Sequence, residues 1–277
     1  MSVRLRDVLA SLTSLLAKAG IDTAPRDARA ILAHSLGQPP DRLTLMLDEP
    51  VDQSVKSRTD ALVARRLARE PLSHLTGYRA FYEHVFQVSP AVLDPRPETE
   101  CLVRAALEHP FDHVLDLGTG SGCILLSLLA ARPASSGVGT DVSPQALEVA
   151  AANASALGIE PRAMFLLSDW FETVEGRFDL IVSNPPYIAE DEMAALAPEL
   201  SYEPRGALTD ERDGLSAYRA ILPQARAFLA PGGRVMVEVG WKQGPSVCRM
   251  FHEAGYQHIR MRPDLDGRDR IVEGSFG

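Results

Sequence analysis

From His113 onward, short apolar segments alternate with longer runs of helical periodicity, a pattern that few architectures accommodate. "HVLDLG", "GVGTD", "AMFLLSD", "DLIVSNPP" and "RVMVEVG" read as strands, and residues 122–131, 144–157, 215–229 and 244–254 read as helices between them. Such alternation predicts an α/β fold built on a doubly wound, mostly parallel sheet. "QHIRMRPD" and "DRIVEGSF" read as two closing strands, which brings the expected sheet to seven strands.

Ahead of this region the signals are helical. Val8, Leu12 and Leu15 fall at helical spacing behind Asp7, and Gly20 follows the run as a C-cap. Thr23 and Pro25 open a second run through Ala28, Ile31, Leu32 and Leu36, which Gly37 closes. A short third helix follows Pro40, and a fourth runs from near Val55 to Ala68. Tyr78, Phe81, Tyr82, Val85, Phe86 and Val88 then suggest a β-hairpin that ends in the proline-broken "LDPRPETE". The expected domains are a small all-helical one over residues 1–75, a hairpin linker over 76–92 and the α/β domain over 93–277.

Composition removes several classes of function. No apolar run approaches the roughly 18 residues needed to cross a bilayer. The N-terminal stretch lacks a signal-peptide pattern and reads as the first folded helix, so a cytoplasmic location is expected. Cys101, Cys123 and Cys248 lie far apart and form no C-x-x-C pair, while the seven histidines are scattered; neither a disulfide framework nor a structural metal is expected. Residues 1–75 hold 11 basic and 9 acidic side chains, so of the net charge of −9 the remainder carries −11. An acidic region of this kind is a poor partner for phosphate backbones, and direct nucleic-acid binding is not expected.

"HVLDLGTGSGCILL" sets Gly118, Thr119, Gly120, Ser121 and Gly122 between a strand and a helix. Glycines there permit a tight turn and close approach of a ligand to the backbone, at the strand end where open α/β sheets bind ligands. The spacing is G-x-G-x-G, whereas dinucleotide sites show G-x-G-x-x-G. Asp141 ends the next strand and can accept from both hydroxyls of a ribose; alternatively it caps the following helix, although Ser143 before Pro144 is the better cap. At the third strand end Asp169 can accept from an exocyclic amine, and Trp170 can lie against a purine or belong to the core. Three such strand ends suit an adenosine ligand held without phosphate contacts, and S-adenosylmethionine is one.

The fourth strand stops at Asn184-Pro185-Pro186-Tyr187. Two prolines donate nothing to a ladder and fix their φ near about −65°, while Asn184 is pushed to an extended conformation. The corner is stiff and carries one carboxamide, carbonyls without matching N–H groups, and one aromatic ring.

"DLGTGSG" together with "SNPPY" resembles the class I S-adenosylmethionine-dependent methyltransferases that modify planar nitrogen. "GYRAFY", "LDPRPETE", "SDWFE", "EPRGAL", "LAPGGRVMVEVGWKQG" and "GRDRIV", in this order from about Glu70 to Val272, make the chain similar to the release factor glutamine methyltransferase (PrmC/HemK) family. One departure is Asp94, where that family usually has an apolar residue. The resemblance implies a Rossmann-like domain, S-adenosylmethionine as methyl donor and S-adenosylhomocysteine as product. It also implies that the substrate is the glutamine of the Gly-Gly-Gln motif in class 1 release factors, docked with help from the helical domain. A monomer with no membrane association is expected.

In that setting the corner has a chemical purpose. An amide nitrogen is a poor nucleophile because its lone pair is delocalised. The Asn184 side-chain oxygen and the Pro185 carbonyl, aimed by Pro185 and Pro186, can accept from its N–H bonds and turn the lone pair toward the methyl. Tyr187 can pack against the amide plane. Transfer is then governed by positioning, for which effective molarities of about 10⁵ M or more are known. Arg96, Glu98 and Thr99 form either a wall near the cofactor or a purely structural linker. Two rivals remain at this level: an amino-methyltransferase for adenine or guanine in DNA or rRNA, and a non-catalytic module that binds translation factors.

Overall fold

The structure is a computed structural model that describes residues 3–276; Met1, Ser2 and Gly277, at the ends of the expected domains, lie outside it. The chain divides into two compact units, Met1–Tyr78 with Ala197–Tyr202, and Arg79–Leu196 with Glu203–Gly277.

In the first unit, α1 (Leu5–Lys18), α2 (Ala24–Leu36), α3 (Leu43–Met46), α4 (Gln53–Leu67) and α5 (Leu72–Thr76) enclose a core of Leu5, Leu16, Ile31, Leu32, Leu43 and Val63. Gly37 caps α2 in the left-handed conformation that glycine adopts without a Cβ penalty. Asp52 starts α4 by accepting from the Val55 N–H at 2.8 Å, a cap the apolar pattern did not reveal. Within the core Arg66 donates through Nε to Asp27 at 2.8 Å and through Nη1 to Glu199 at 3.1 Å. Ala197–Tyr202 is thus held to the helices by an ion pair, and by the Tyr202 hydroxyl donating to the Ala68 carbonyl at 2.7 Å.

The second unit begins with a two-stranded sheet, β1 (Tyr78–Phe81) and β2 (His84–Gln87), and the helix α6 (Glu100–Leu107). There follow β3 (His113–Leu117), α7 (Cys123–Ala131), β4 (Ser136–Asp141), α8 (Pro144–Ala156), β5 (Ala163–Leu167) and β6 (Phe178–Ser183). The chain ends with α9 (Arg205–Leu208), α10 (Ser216–Phe228), β7 (Leu229–Glu238), α11 (Gly244–Glu253), β8 (Gln257–Pro263) and β9 (Asp269–Ser275). The seven-stranded sheet has the order β5-β4-β3-β6-β7-β9-β8; β3 to β7 are parallel and β9 runs against both neighbours.

The alternation of side chains explains why both faces are covered. In β3 and β6, Val114, Leu180 and Val182 meet α6 and α7, whereas Leu115, Leu117 and Ile181 meet α10 and α11. After β5 the chain returns to the other side of β3. This reversal opens a crevice at the carboxyl ends of β3 and β6, the place where open α/β sheets hold ligands.

Candidate active site

Register brings the two motifs together. Leu117 of β3 is paired with Ser183 of β6, so Gly118 and Asn184 leave the sheet side by side. The Ser183 hydroxyl fixes that pairing by donating to the Leu117 carbonyl at 2.7 Å.

Gly118, Gly120 and Gly122 have φ values of +69°, +55° and +79°, which accounts for glycine at each. Their surroundings differ. A Cβ at Gly118 or Gly120 would meet only open space, whereas at Gly122 it would press on Leu126 and Ala150, so Gly122 serves the packing of α7 on α8. Asp141 ties the loop to the next element: one carboxylate oxygen accepts from the Gly120 N–H at 2.9 Å and the other from the Ser143 N–H at 2.9 Å. Ser143 is the α8 cap, accepting from the Ala146 N–H. Asp141 is therefore engaged by backbone through both oxygens, and each retains acceptor capacity. Asp116, buried beneath the loop, accepts from the Thr119 hydroxyl at 2.7 Å, and burial pushes its carboxyl up to about 7 against that hydrogen bond.

A cavity of about 360 Å³ lies over these strand ends. Gly118, Gly120, Asp141, Asp169, Trp170, Asn184 and Pro186 line it, together with Val92, Leu93 and Ala146. Thr119, Ser121, Gly122, Pro185 and Tyr187 are not among its lining residues. Trp170 does both things allowed for it, bordering the cavity while packing partly against the core, with φ at +49°. The cavity wall formed by Pro204, Gly206 and Ala207, at α9, falls in "EPRGAL", a stretch that carries part of the family resemblance but no residue expected at the site.

At the corner the Asn184 Nδ2 donates to the Thr99 hydroxyl at 3.1 Å, leaving the buried Oδ1 without a partner. Tyr187 is half-buried, and its hydroxyl lies 3.5 Å from Glu238 at the end of β7. Burial raises the Tyr187 hydroxyl pKa well beyond its ordinary value, reinforced by Glu238, so this side chain is neutral and no general base. Gly214 (φ +72°) lies against the Tyr187 carbonyl, which also accepts from the Gln243 Nε2 at 2.9 Å. Any side chain at position 214 would collide with that carbonyl.

Thr99 thus touches the corner directly, through Asn184. Arg96 instead pairs with Glu203, whose carboxyl is raised by burial against the pull of Arg96. Asp94, the departure from the family pattern, is buried and paired with Arg79 at 3.5 Å. Among the described residues no cluster of His, Cys, Asp or Glu could hold a metal, and no helix is long and apolar enough to cross a membrane.

The sheet order and the cavity over the glycine loop are those of a class I methyltransferase. The family of the methyltransferase small domain matches residues 89–212, and that of the PrmC N-terminal domain matches residues 7–77. The same fold is found in T. thermophilus RsmC, a 16S rRNA methyltransferase solved with AdoMet and guanosine. It is 23% identical with a TM-score of 0.52 over 72% of this chain and 51% of that one. The release factor glutamine methyltransferase of Cereibacter sphaeroides is 53% identical over 98% of both chains. That of Rhodospirillum rubrum is 44% identical over 92% of this chain and 79% of the relative. The chain belongs to the release factor glutamine methyltransferase family.

Proposed function

We propose that the protein methylates the side-chain amide nitrogen of the Gly-Gly-Gln glutamine in class 1 peptide chain release factors, using S-adenosylmethionine. The observation that carries this reading is the buried, unpartnered Oδ1 of Asn184, a residue that lines the cavity. A polar atom held dry costs about 1–3 kcal/mol unless a donor reaches it, and a primary amide offers such a donor. The family relationship supplies the identity of the substrate.

The residues present fit the cofactor. The open space above Gly118 and Gly120 admits its backbone approach, Asp141 would hold the ribose hydroxyls, and Asp169 and Trp170 would take the adenine. The cavity volume lies in the range that holds molecules of this size. S-adenosylmethionine supplies an activated methyl group when bound. The chain's own contribution is to hold the glutamine nitrogen in place, with Asn184 Oδ1 and the Pro185 carbonyl accepting its two N–H bonds and Tyr187 beside the amide plane. A neutral Tyr187 suits this task, because the methylated amide releases its proton without a strong base. The helical unit would supply docking area for the release factor.

Asn184→Ala removes one of the two acceptors. Single-turnover methylation at saturating cofactor is expected to slow by about 5- to 150-fold, the rate equivalent of roughly 1–3 kcal/mol. Cofactor affinity should change far less. A parent rate in this variant would remove Asn184 from the reaction.

A further inference from the structure

We infer that Gln243 is a positioning residue for the methyl transfer, fixing the peptide plane that follows Tyr187 and through it the direction of the Tyr187 ring. This rests on the functional reading above, which sets that ring beside the acceptor amide, and deepens it. Gln243 stands in "GWKQG", a stretch that carries part of the family resemblance and no residue expected at the site.

Gln243 lies between β7 and α11, and its carboxamide joins three segments of the chain. Oε1 accepts from the Gly240 N–H at 3.0 Å, while Nε2 donates to the Tyr187 carbonyl at 2.9 Å and to the Gly214 carbonyl at 3.1 Å. Both hydrogens of the amide nitrogen are used and a donor faces the oxygen, so the group is satisfied in one orientation only. Two of its anchors are themselves fixed. Val239, next to Gly240, donates to the Arg270 carbonyl on β9 at 2.8 Å. Gly214 sits in a turn organised by Asp210. One Asp210 oxygen accepts from the Arg212 and Gly214 N–H groups at 2.9 Å each, and the other from the Ser216 N–H at 2.8 Å. Gln243 extends the order of these two turns to the third segment, the corner.

The corner needs this support at one point. The proline rings stiffen the chain as far as Pro186, but ψ of Tyr187 lies beyond their reach. The peptide plane between Tyr187 and Ile188 is held at both ends instead. Its carbonyl accepts from Gln243, and its N–H donates to the Leu208 carbonyl at 3.0 Å. A plane held at both ends sets ψ of Tyr187, and so the direction in which the ring leaves the backbone. Glycine makes room for the arrangement: a Cβ at Gly240 would stand 3.4 Å from Cδ2 of the Tyr187 ring and 3.0 Å from the Gln243 Oε1. Without the Gln243 donor the plane is free to turn and the ring turns with it. Misplacement of a positioning group by about 1 Å costs up to about 100-fold in rate.

The test uses the full-length protein, S-adenosylmethionine and an intact class 1 release factor in single-turnover transfer of a tritiated methyl group, with both substrates saturating. Gln243→Glu keeps the length and the acceptor toward Gly240, but sets a carboxylate against the Tyr187 and Gly214 carbonyls. Its rate should fall by about 10- to 100-fold. Calorimetric affinity for S-adenosylmethionine should stay within about threefold of the parent, because Gln243 does not line the cavity. A double-mutant cycle separates positioning from support of the loops. In a Tyr187→Ala background there is no ring to direct, so adding Gln243→Glu should change the rate by less than about threefold. If Gln243→Glu does not fold, Gln243→Met, neutral and of similar length, carries the same cycle. A parent rate in the single Gln243 variant, a parent rate in Tyr187→Ala, or an equal loss in both backgrounds would overturn the inference. An inactive parent protein would instead overturn the functional reading.

Discussion

Asp141→Ala is expected to weaken S-adenosylmethionine binding by about 100-fold or more. Each hydroxyl-to-carboxylate hydrogen bond contributes about 1.5–3 kcal/mol, and two are lost together; even the lower sum exceeds a hundredfold in affinity. The structure adds a second contribution. The same carboxylate accepts from the Gly120 and Ser143 N–H groups at 2.9 Å each, so its removal also releases the glycine loop from the start of α8. Asp141→Asn separates the two effects, since it keeps the volume and one acceptor while setting an NH₂ group against one of those backbone donors. Calorimetry on both variants, with thermal unfolding measured without cofactor, gives the answer. The alanine variant should lose both affinity and cofactor-free stability, and the affinity lost beyond what the asparagine variant loses reports the ribose contacts. Affinity within about threefold of the parent, a difference below roughly 0.7 kcal/mol, would show that Asp141 does not bind the ribose.

Arg66→Ala is expected to destabilise the helical unit by about 3–5 kcal/mol, the usual cost of leaving a buried charge without its partner. Arg66 and Asp27 are both almost wholly buried, and the same guanidinium holds Glu199 on the returning segment. The loss therefore includes an orphaned Asp27 in an apolar core and the release of Ala197–Tyr202 from its anchor. Asp27→Ala added to Arg66→Ala should recover part of the stability, because it removes the orphaned charge. Denaturant unfolding followed by circular dichroism reads both variants. The affinity for S-adenosylmethionine should stay at the parent value, since every residue proposed to hold it lies in the other unit. A loss below about 0.5 kcal/mol in Arg66→Ala would mean that the buried pair is not what holds the helices together.

The sheet was legible because buried parallel strands read as continuous apolar runs and the helices between them are long enough to show their period. α5 and α6 were not read. α5 has only five residues between Pro71 and Gly77, and α6 follows a proline-broken stretch that resembles a loop to its end. The glycine loop could be located but not divided: that Gly118 and Gly120 face open space while Gly122 faces α8 depends on contacts with Ala150, far along the chain. The sequence placed Asn184 at the corner but could not say which end of its amide is engaged within the fold. Its hydrogen-bond partner, Thr99, lies 85 residues away in the chain. One signal for Glu238 was present, a carboxylate in the apolar run "VMVEVG", where burial demands a partner. Nothing in the pattern announced that Ala197–Tyr202 would leave the α/β unit to join the helices.

The central claim is that the site methylates one particular amide, and mass spectrometry of a release factor incubated with this protein and S-adenosylmethionine tests it most directly. The account predicts a mass gain of one methyl group, confined after proteolysis to the peptide bearing the Gly-Gly-Gln motif and located by fragmentation on the glutamine side chain. That gain should be absent when the glutamine is replaced by alanine. Methylation elsewhere on the release factor, or none on it but transfer to DNA or rRNA under the same conditions, would contradict the account.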